Sequence, residues 1–588
     1  MSDPTSYGPG DPAEAAELEE ALANAGELHE AGELEQAETI YRNILERYPD
    51  HPGTLHRLGI VALQTQHLDS AIELIEKAIA GNAANPDYHG HLGLARFAKG
   101  DFQGAEQCYR SALAFDEGHL DSRINLGNVL LQTGRVDEAE AEYNRALEAD
   151  PASETAHYGL ALAHLGRNDL DAAADALLAA LKIAPDFLAA RINLSNLLLQ
   201  KGQADAAVAN LREAVRLVPE SFDARLNLGV ALQQANKPGD AVAVAKETLA
   251  LSPDSPELLL NLGAAHLANG EPAAACDALD RALAAAPDYA PARLNRAMAC
   301  LVAGNFEDGW HDYEARPSRG VLPDPGIAEL PEWDGGDPAG KRILVWAEQG
   351  YGDAIQFARY LPMLAERGAT VFFHVPPPLA RLFEGLGGIE RLLVRDRDTE
   401  LPDVDAQIPL LSLPYRMATT LETIPAKPAY LTAPTAEDAE PSGDTRRIGL
   451  CWQGSATNPN DLRRSVDPGP LVEALDRPGI ELIGLQYGAE GAPLDNPGGM
   501  VGDFAGMAAL IQGLDLVVTV DTGVAHLAGA LGKPVWTLLP FAPDWRWLLD
   551  RDDSPWYPSM RLFRQPSPGD WTAAFRDISA ALDEWLAG

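Results

Sequence analysis

Small residues recur every 34 positions through the first half of this 588-residue chain, and that period restricts the half to a stack of like units. Ala37, Ala71, Ala105, Ala139, Ala173, Ala207, Ala241 and Ala275 form one ladder. Pro151, Pro185, Pro219, Pro253 and Pro287 form a second, with Pro49 in phase. Gly59, Gly93, Gly127, Gly229 and Gly263 form a third, with Ala161, Ser195 and Ala297 in register. The pattern reads as two helices per unit. Small residues let the helices approach, and proline, lacking an N–H, ends the second helix. Tyr41, Tyr109, Tyr143 and Leu211 sit four residues after the alanine, on the same helix face. The predicted architecture is an α-solenoid.

These ladders resemble tetratricopeptide repeats. About eight full units run from Leu18 to Asp288, with a partial ninth to roughly Arg316, and residues 1–17 are expected to be disordered. The resemblance implies a concave surface that binds protein segments. Asn125, Asn193, Asn227, Asn261 and Asn295 fall in one register on the first helix of their units, with Gly159 on one rung and Arg57 and His91 on the earlier ones. Asparagine both donates to and accepts from a peptide backbone, whatever that peptide's side chains. The row resembles the asparagine ladder of the eukaryotic O-linked N-acetylglucosamine transferases, which implies acceptor binding. The plainer reading is hydrogen bonding between neighbouring helices.

Charge narrows the partners. Asp and Glu number 87 against 45 Lys and Arg, a formal charge of −42. Nucleic acid and anionic membrane surfaces are disfavoured, because no basic face is available. Cys108, Cys276, Cys300 and Cys451 lack metal-ligand spacing and read as reduced thiols. Residues 1–17 lack the basic and apolar regions of a signal peptide, and no apolar run is long enough to span a bilayer. A cytoplasmic location is expected.

The period ends near Glu314, and a Pro/Gly-rich stretch, 317–340, marks a connector in which Leu330 and Trp333 are apolar enough to dock. Short apolar runs then alternate with helical patterns. Strands are predicted at Ile343–Ala347, Val371–Val375, Ile448–Trp452, Ile480–Gln486, Leu516–Val520 and Pro534–Leu539, and a helix at Asp353–Arg367. Such alternation implies parallel sheets, here in two Rossmann-like lobes, 341–440 and 441–588. Ligands in such sheets bind beyond the C-terminal strand ends.

Three segments carry candidate chemistry. Gly350-Tyr351-Gly352-Asp353 follows the first strand and opens a helix. Its glycines permit a tight turn and close ligand approach, and Asp353 alone could be no more than a cap. Asp521-Thr522-Gly523-Val524-Ala525-His526 joins a strand to a helix whose N-terminus is suited to phosphate. Arg463 and Arg464 follow the Gln453-Gly454-Ser455 turn and could neutralise an anion. Asp396-Arg397-Asp398 and Asp550-Arg551-Asp552 mimic a metal-binding pattern, but neither ends a convincing strand, so no metal is expected.

Ala347–Asp353, Asp521–Pro534 and Asp544-Trp545-Arg546-Trp547-Leu548-Leu549 resemble the bacterial tetratricopeptide-linked glycosyltransferases, whose catalytic domain is related to the lipopolysaccharide heptosyltransferases and has the GT-B fold. The resemblance covers about Trp333 to Gln565. It implies that Asp353 is the base that deprotonates the acceptor hydroxyl. It implies that Gly350, Tyr351, Gly352, Gln453, Asp521, Thr522, Gly523 and His526 meet the donor, and that Arg463 or Arg464 neutralises its leaving phosphate. The implied reaction is a single inverting displacement without a metal or other cofactor. The donor is a nucleotide-sugar, with a CMP-linked nonulosonic acid and flagellin as the implied donor and acceptor protein. Two rivals remain: a saccharide or lipid glycosyltransferase of heptosyltransferase type, and a non-catalytic scaffold that binds a nucleotide-sugar.

Overall fold

The computed structural model describes residues 12–348, 350–397, 400–433, 445–455, 461–488 and 493–587. The chain divides into two compact units, Met1–Ala224 and Arg225–Gly588, and the division falls within α13 (Phe222–Gln234).

The first unit is built of antiparallel helix pairs that begin with α1 (Pro12–Glu30). Residues 12–17, expected to lie outside the first helix, are its first turns. Pro12 suits a first helical position, and the Ala- and Glu-rich run that follows has high helix propensity. Ala37, Ala71, Ala105, Ala139, Ala173 and Ala207 have no exposed surface. Two rungs of the glycine ladder have a steric basis: a Cβ on Gly93 or Gly127 would lie 2.5 or 2.6 Å from the ring of Tyr109 or Tyr143. Asp101, Ser153 and Asp169 each accept an N–H from the first turn of the helix they precede.

The second unit continues the repeats through α17 (Ala290–Val302) and α18 (Phe306–Tyr313). Ala241 and Ala275 are again fully buried. Two parallel sheets follow. The first has the order β3-β2-β1-β4, from β1 (Arg342–Trp346), β2 (Thr370–Val375), β3 (Arg391–Val394) and β4 (Ala406–Pro409). The second has the order β6-β5-β7-β8-β9, from β5 (Arg446–Cys451), β6 (Ile480–Gly484), β7 (Leu516–Val520), β8 (Val535–Leu539) and β9 (Met560–Arg564). The helices are α19 (Tyr351–Phe357), α20 (Tyr360–Glu366), α21 (Ala380–Phe383), α22 (Leu413–Arg416), α23 (Asp461–Arg464), α24 (Pro468–Leu475), α25 (Phe504–Gln512), α26 (Gly523–Ala530) and α27 (Trp571–Ala587). The single helix expected at Asp353–Arg367 is two. Pro362 has no N–H to offer Ala358, and the helix breaks between Phe357 and Tyr360.

Both faces of the first sheet are covered, as a parallel sheet requires. Ile343 and Val345 face a large core that takes in Leu301, Phe306, Trp310 and Tyr313 of the last repeat. Leu344 and Trp346 face the opposite way, against Ile327 and Leu330 of the connector. The connector also runs beside β4: Trp333 N–H donates to the Gln407 carbonyl at 2.9 Å, and Trp333 is 1% exposed. The last helix pair and the first lobe therefore share one core.

Candidate active site

Each sheet reverses its strand order once, between β1 and β4 and between β5 and β7. The turns that leave β1, β5 and β7 meet there, around a cavity of about 1090 Å³. Its walls include Gly350, Tyr351, Gly352, Asp353, Gln453, Arg464, Asp521, Thr522, Gly523 and His526.

The two glycine-bearing turns touch. Gly350 has φ +94°, and a Cβ there would fall 2.2 Å from Asp353 Oδ2, so only glycine fits. A Cβ on Gly352 would lie 2.8 Å from His526 Cδ2 and 3.4 Å from Gly523 Cα. Thr522 is extended, with φ −144° and ψ 172°, and α26 starts directly after it. The first turn of a helix leaves N–H groups without intrahelical acceptors, and here Thr522, Gly523 and Val524 line the cavity.

His526 is buried beneath this turn. Its Nδ1 is 3.0 Å from Tyr557 Oη, and its ring stacks on Trp547 at 5.3 Å. Burial, then the nearby guanidinium groups of Arg546, Arg359 and Arg464, hold it well below the ordinary histidine range, so it is neutral. It can offer a hydrogen bond but no charge.

The two arginines after β5 part ways. Arg464 lines the cavity, with Nε donating to Asp461 Oδ1 at 3.2 Å. Arg463 does not line it. Its guanidinium donates to the Gln233 carbonyl of α13 at 2.6 Å. Adjacent residues in the short α23 point about 100° apart around the helix axis, so one arginine faces the cavity and the other faces the repeats. Arg463, expected at the donor, lies against α13 and outside the cavity wall. Gln486 Oε1 accepts the Trp452 and Gln453 N–H groups at 3.2 and 3.0 Å, and Gln486 Nε2 donates to the Gln453 carbonyl at 3.1 Å. That side chain fixes the turn, although its position at the end of a predicted strand gave no sign of it.

Acidic groups outnumber basic ones around the cavity: Asp353, Asp503, Asp521 and Asp544 against Arg464 and Arg546. Asp353 is raised above the ordinary carboxylate range, chiefly by burial, with Arg546 opposing and Asp544 and Glu348 reinforcing. Asp521 is pushed up to about 6 by burial and then by Asp544, with Arg464 opposing. Arg546 belongs to a segment that carries the family resemblance in the sequence, but its partners were not legible there. It reaches the Asp353 carboxylate from the other lobe. Glu348 is held apart from the cavity in a buried pair with Arg316, Nε to Oε1 at 2.8 Å, and accepts the Leu411 N–H at 3.1 Å.

Asparagines of the register bond within the repeats. Asn193 Nδ2 donates to Tyr158 Oη at 2.8 Å, Asn295 Nδ2 to the Pro291 carbonyl at 3.0 Å, and Asn125 Oδ1 accepts from Asn128 Nδ2 at 3.3 Å. All five asparagines, including Asn227 and Asn261, are part-exposed. Of the metal-like triplets, Asp398 lies outside the described residues, and Arg551 pairs with Asp553 at 2.6 Å. Among the described residues, no helix is long and apolar enough to cross a membrane.

Known proteins match separate stretches of the chain. Residues 28–93, 124–186, 192–256 and 232–288 match tetratricopeptide repeat families. Residues 502–545 match glycosyltransferase family 9 (heptosyltransferase), a stretch that includes α26 and Asp544. The chain is 30% identical over 332 residues to Protein FlbA of Caulobacter vibrioides, covering 50% of this chain and 55% of that relative. It thus spans little more than half the length of the curated protein it matches. Similar solved structures include YrrB, a tetratricopeptide repeat protein with an unusual peptide-binding site, at 23% identity and a TM-score of 0.29 over 32% of this chain and 96% of that one. Another is the APC/C hetero-tetramer Cut9-Hcn1, at 17% identity and a TM-score of 0.35 over 47% and 55%. The chain is a tetratricopeptide solenoid followed by a Rossmann-like domain of parallel sheets, in which residues 502–545 are similar to glycosyltransferase family 9.

Proposed function

We propose that this chain is an inverting glycosyltransferase of GT-B type. It moves a sugar from a nucleotide-sugar to a Ser or Thr hydroxyl of an acceptor protein, with flagellin and a CMP-linked nonulosonic acid as the specific candidates. One observation carries the reading: the Asp353 carboxylate, the N-terminus of α26 and the Arg464 guanidinium line one cavity between two parallel-sheet lobes. Asp353 takes the proton of the acceptor hydroxyl, whose oxygen bonds to the anomeric carbon. The bond from that carbon to the phosphate oxygen breaks, and the electron pair leaves with the phosphate. The free N–H groups of α26 and Arg464 receive the developing charge. The acceptor and sugar are tested together by intact-mass analysis of proteins from cells with and without the chain. A sugar-sized mass present only with the chain supports the reading, and identical spectra remove it.

Arg464→Gln is expected to lower kcat/KM about 100-fold, the scale for losing one donor to a developing anion. Steady-state rates with the identified donor check this; an unchanged kcat/KM would assign the leaving group elsewhere.

The part-exposed asparagines would hold an extended acceptor. Asn227, Asn261 and Asn295 changed together to Ala should weaken acceptor binding at least tenfold, at about 0.5–1.5 kcal/mol for each lost hydrogen bond. Titration of labelled acceptor measures it, and unchanged affinity would return the register to interhelical bonding.

A further inference from the structure

We propose that Arg546 is a positioning residue for Asp353: a guanidinium anchored in the second lobe holds the carboxylate of the first. The proposal rests on the reading of Asp353 as the base, and it adds what sets that base.

Arg546 follows β8, in the turn Trp545–Trp547, and is 7% exposed. Its three nitrogens have separate acceptors. Nε donates to Gln356 Oε1 at 2.7 Å, one amino nitrogen to Asp544 Oδ1 at 2.7 Å, and the other to Asp353 Oδ1. Asp353 and Gln356 both belong to α19, so two of the three contacts cross between lobes. The guanidinium plane is packed as well, with its central carbon 4.4 Å from the Trp545 ring centroid and 5.9 Å from that of Phe357. Only a planar fork fills such a site; a lysine could meet one acceptor well. The backbone just beyond is strained. Leu548 has φ +52° and ψ −166°, a conformation that costs a leucine free energy and persists where its surroundings impose it. Part of that hold is Arg564, which donates to the Trp547 carbonyl at 2.7 Å.

The charges around Asp353 come from several elements: Arg546 and Asp544 after β8, Glu348 after β1, Arg316 after α18, and the titratable Tyr313 on α18. Neutral His526 of α26 lies beneath the neighbouring Gly352. One guanidinium serves both Asp353 and Asp544, so Asp353 is held in place yet keeps the raised proton affinity that a base needs. Among these groups Arg546 is the strongest one opposing protonation. Removing its charge moves Asp353 further up, and the acidic limb of the rate profile moves to higher pH.

The test uses the full chain and a probe that needs no sugar. A carboxyl oxygen adds to the central carbon of a water-soluble carbodiimide as the acid's proton passes to nitrogen, so the reaction fades as the acid ionises. Glycine ethyl ester then displaces the urea to leave an amide mass tag located by peptide mass spectrometry. In R546Q the pH of half-maximal tagging at Asp353 is expected to rise by about one unit or more, a tenfold gain in proton affinity. In R546K the midpoint stays near wild type, while kcat for transfer falls with KM nearly unchanged. An unmoved midpoint in R546Q overturns the proposal, and so does full wild-type kcat in R546K. If R546Q does not fold, R546K alone decides through its split between kcat and KM. A wild-type chain that tags as expected but adds no mass to any acceptor strikes the transferase reading and leaves the Arg546 hold in place.

Discussion

Replacing Asp353 with Asn is expected to lower transfer by about 10²–10⁴-fold, the usual worth of a positioned base. The substitution keeps the side chain's shape and an oxygen that can still accept from Arg546, so the fold and donor affinity should change little. Asp353 is well suited to reveal its role this way. It lines the cavity, and burial raises its proton affinity against the pull of Arg546. Initial rates of acceptor mass gain, with donor affinity by calorimetry, separate catalysis from binding. Unchanged turnover would remove Asp353 as the base. A large loss of donor affinity would make it a binding residue.

Trp310→Ala should destabilise the second unit by about 3–5 kcal/mol, the cost of a large cavity in a packed core. Trp310 is 2% exposed. It packs edge-on against Trp545 at 5.1 Å, and its ring N–H donates to the Thr419 carbonyl at 3.0 Å. Truncation leaves both a void and a buried carbonyl without its donor. Trp310→Phe keeps much of the ring volume and should cost clearly less. Thermal unfolding of the two variants, followed by near-ultraviolet circular dichroism, compares them. Equal midpoints for the Ala variant and wild type would mean that the last repeat is not part of this core.

Legibility in the sequence followed the range of the forces involved. The repeats were readable because a buried alanine or glycine is dictated every 34 residues by the same local packing. β7 and β8 were readable because strands buried on both faces leave nearly continuous apolar runs, interrupted only by Thr519 and Thr537. β4 was not. Its four residues include Gln407, tolerated in the interior because its side-chain oxygen accepts the Trp346 ring N–H at 2.7 Å. β9 was hidden by Arg561 and Arg564 in an edge strand. Both glycine turns were legible, since tight strand-to-helix turns constrain their residues locally. The partner of Asp353 was not: it is 193 positions away in the chain, and only the packing of two lobes brings Arg546 to it. The choice between Arg463 and Arg464 likewise depended on which way a single turn of helix faces.

The core shared by the last helix pair and the first sheet also sets where such chains can be recombined. A splice inside 290–346 would divide residues that bury one another, Leu301, Phe306 and Trp310 against Val345 and Phe357. Chimaeras that give this α/β domain a different set of repeats should therefore join upstream of Ala290 and keep α17 and α18 with their own sheet. For exchange between relatives, the last repeat travels with the two sheets rather than with the rest of the solenoid.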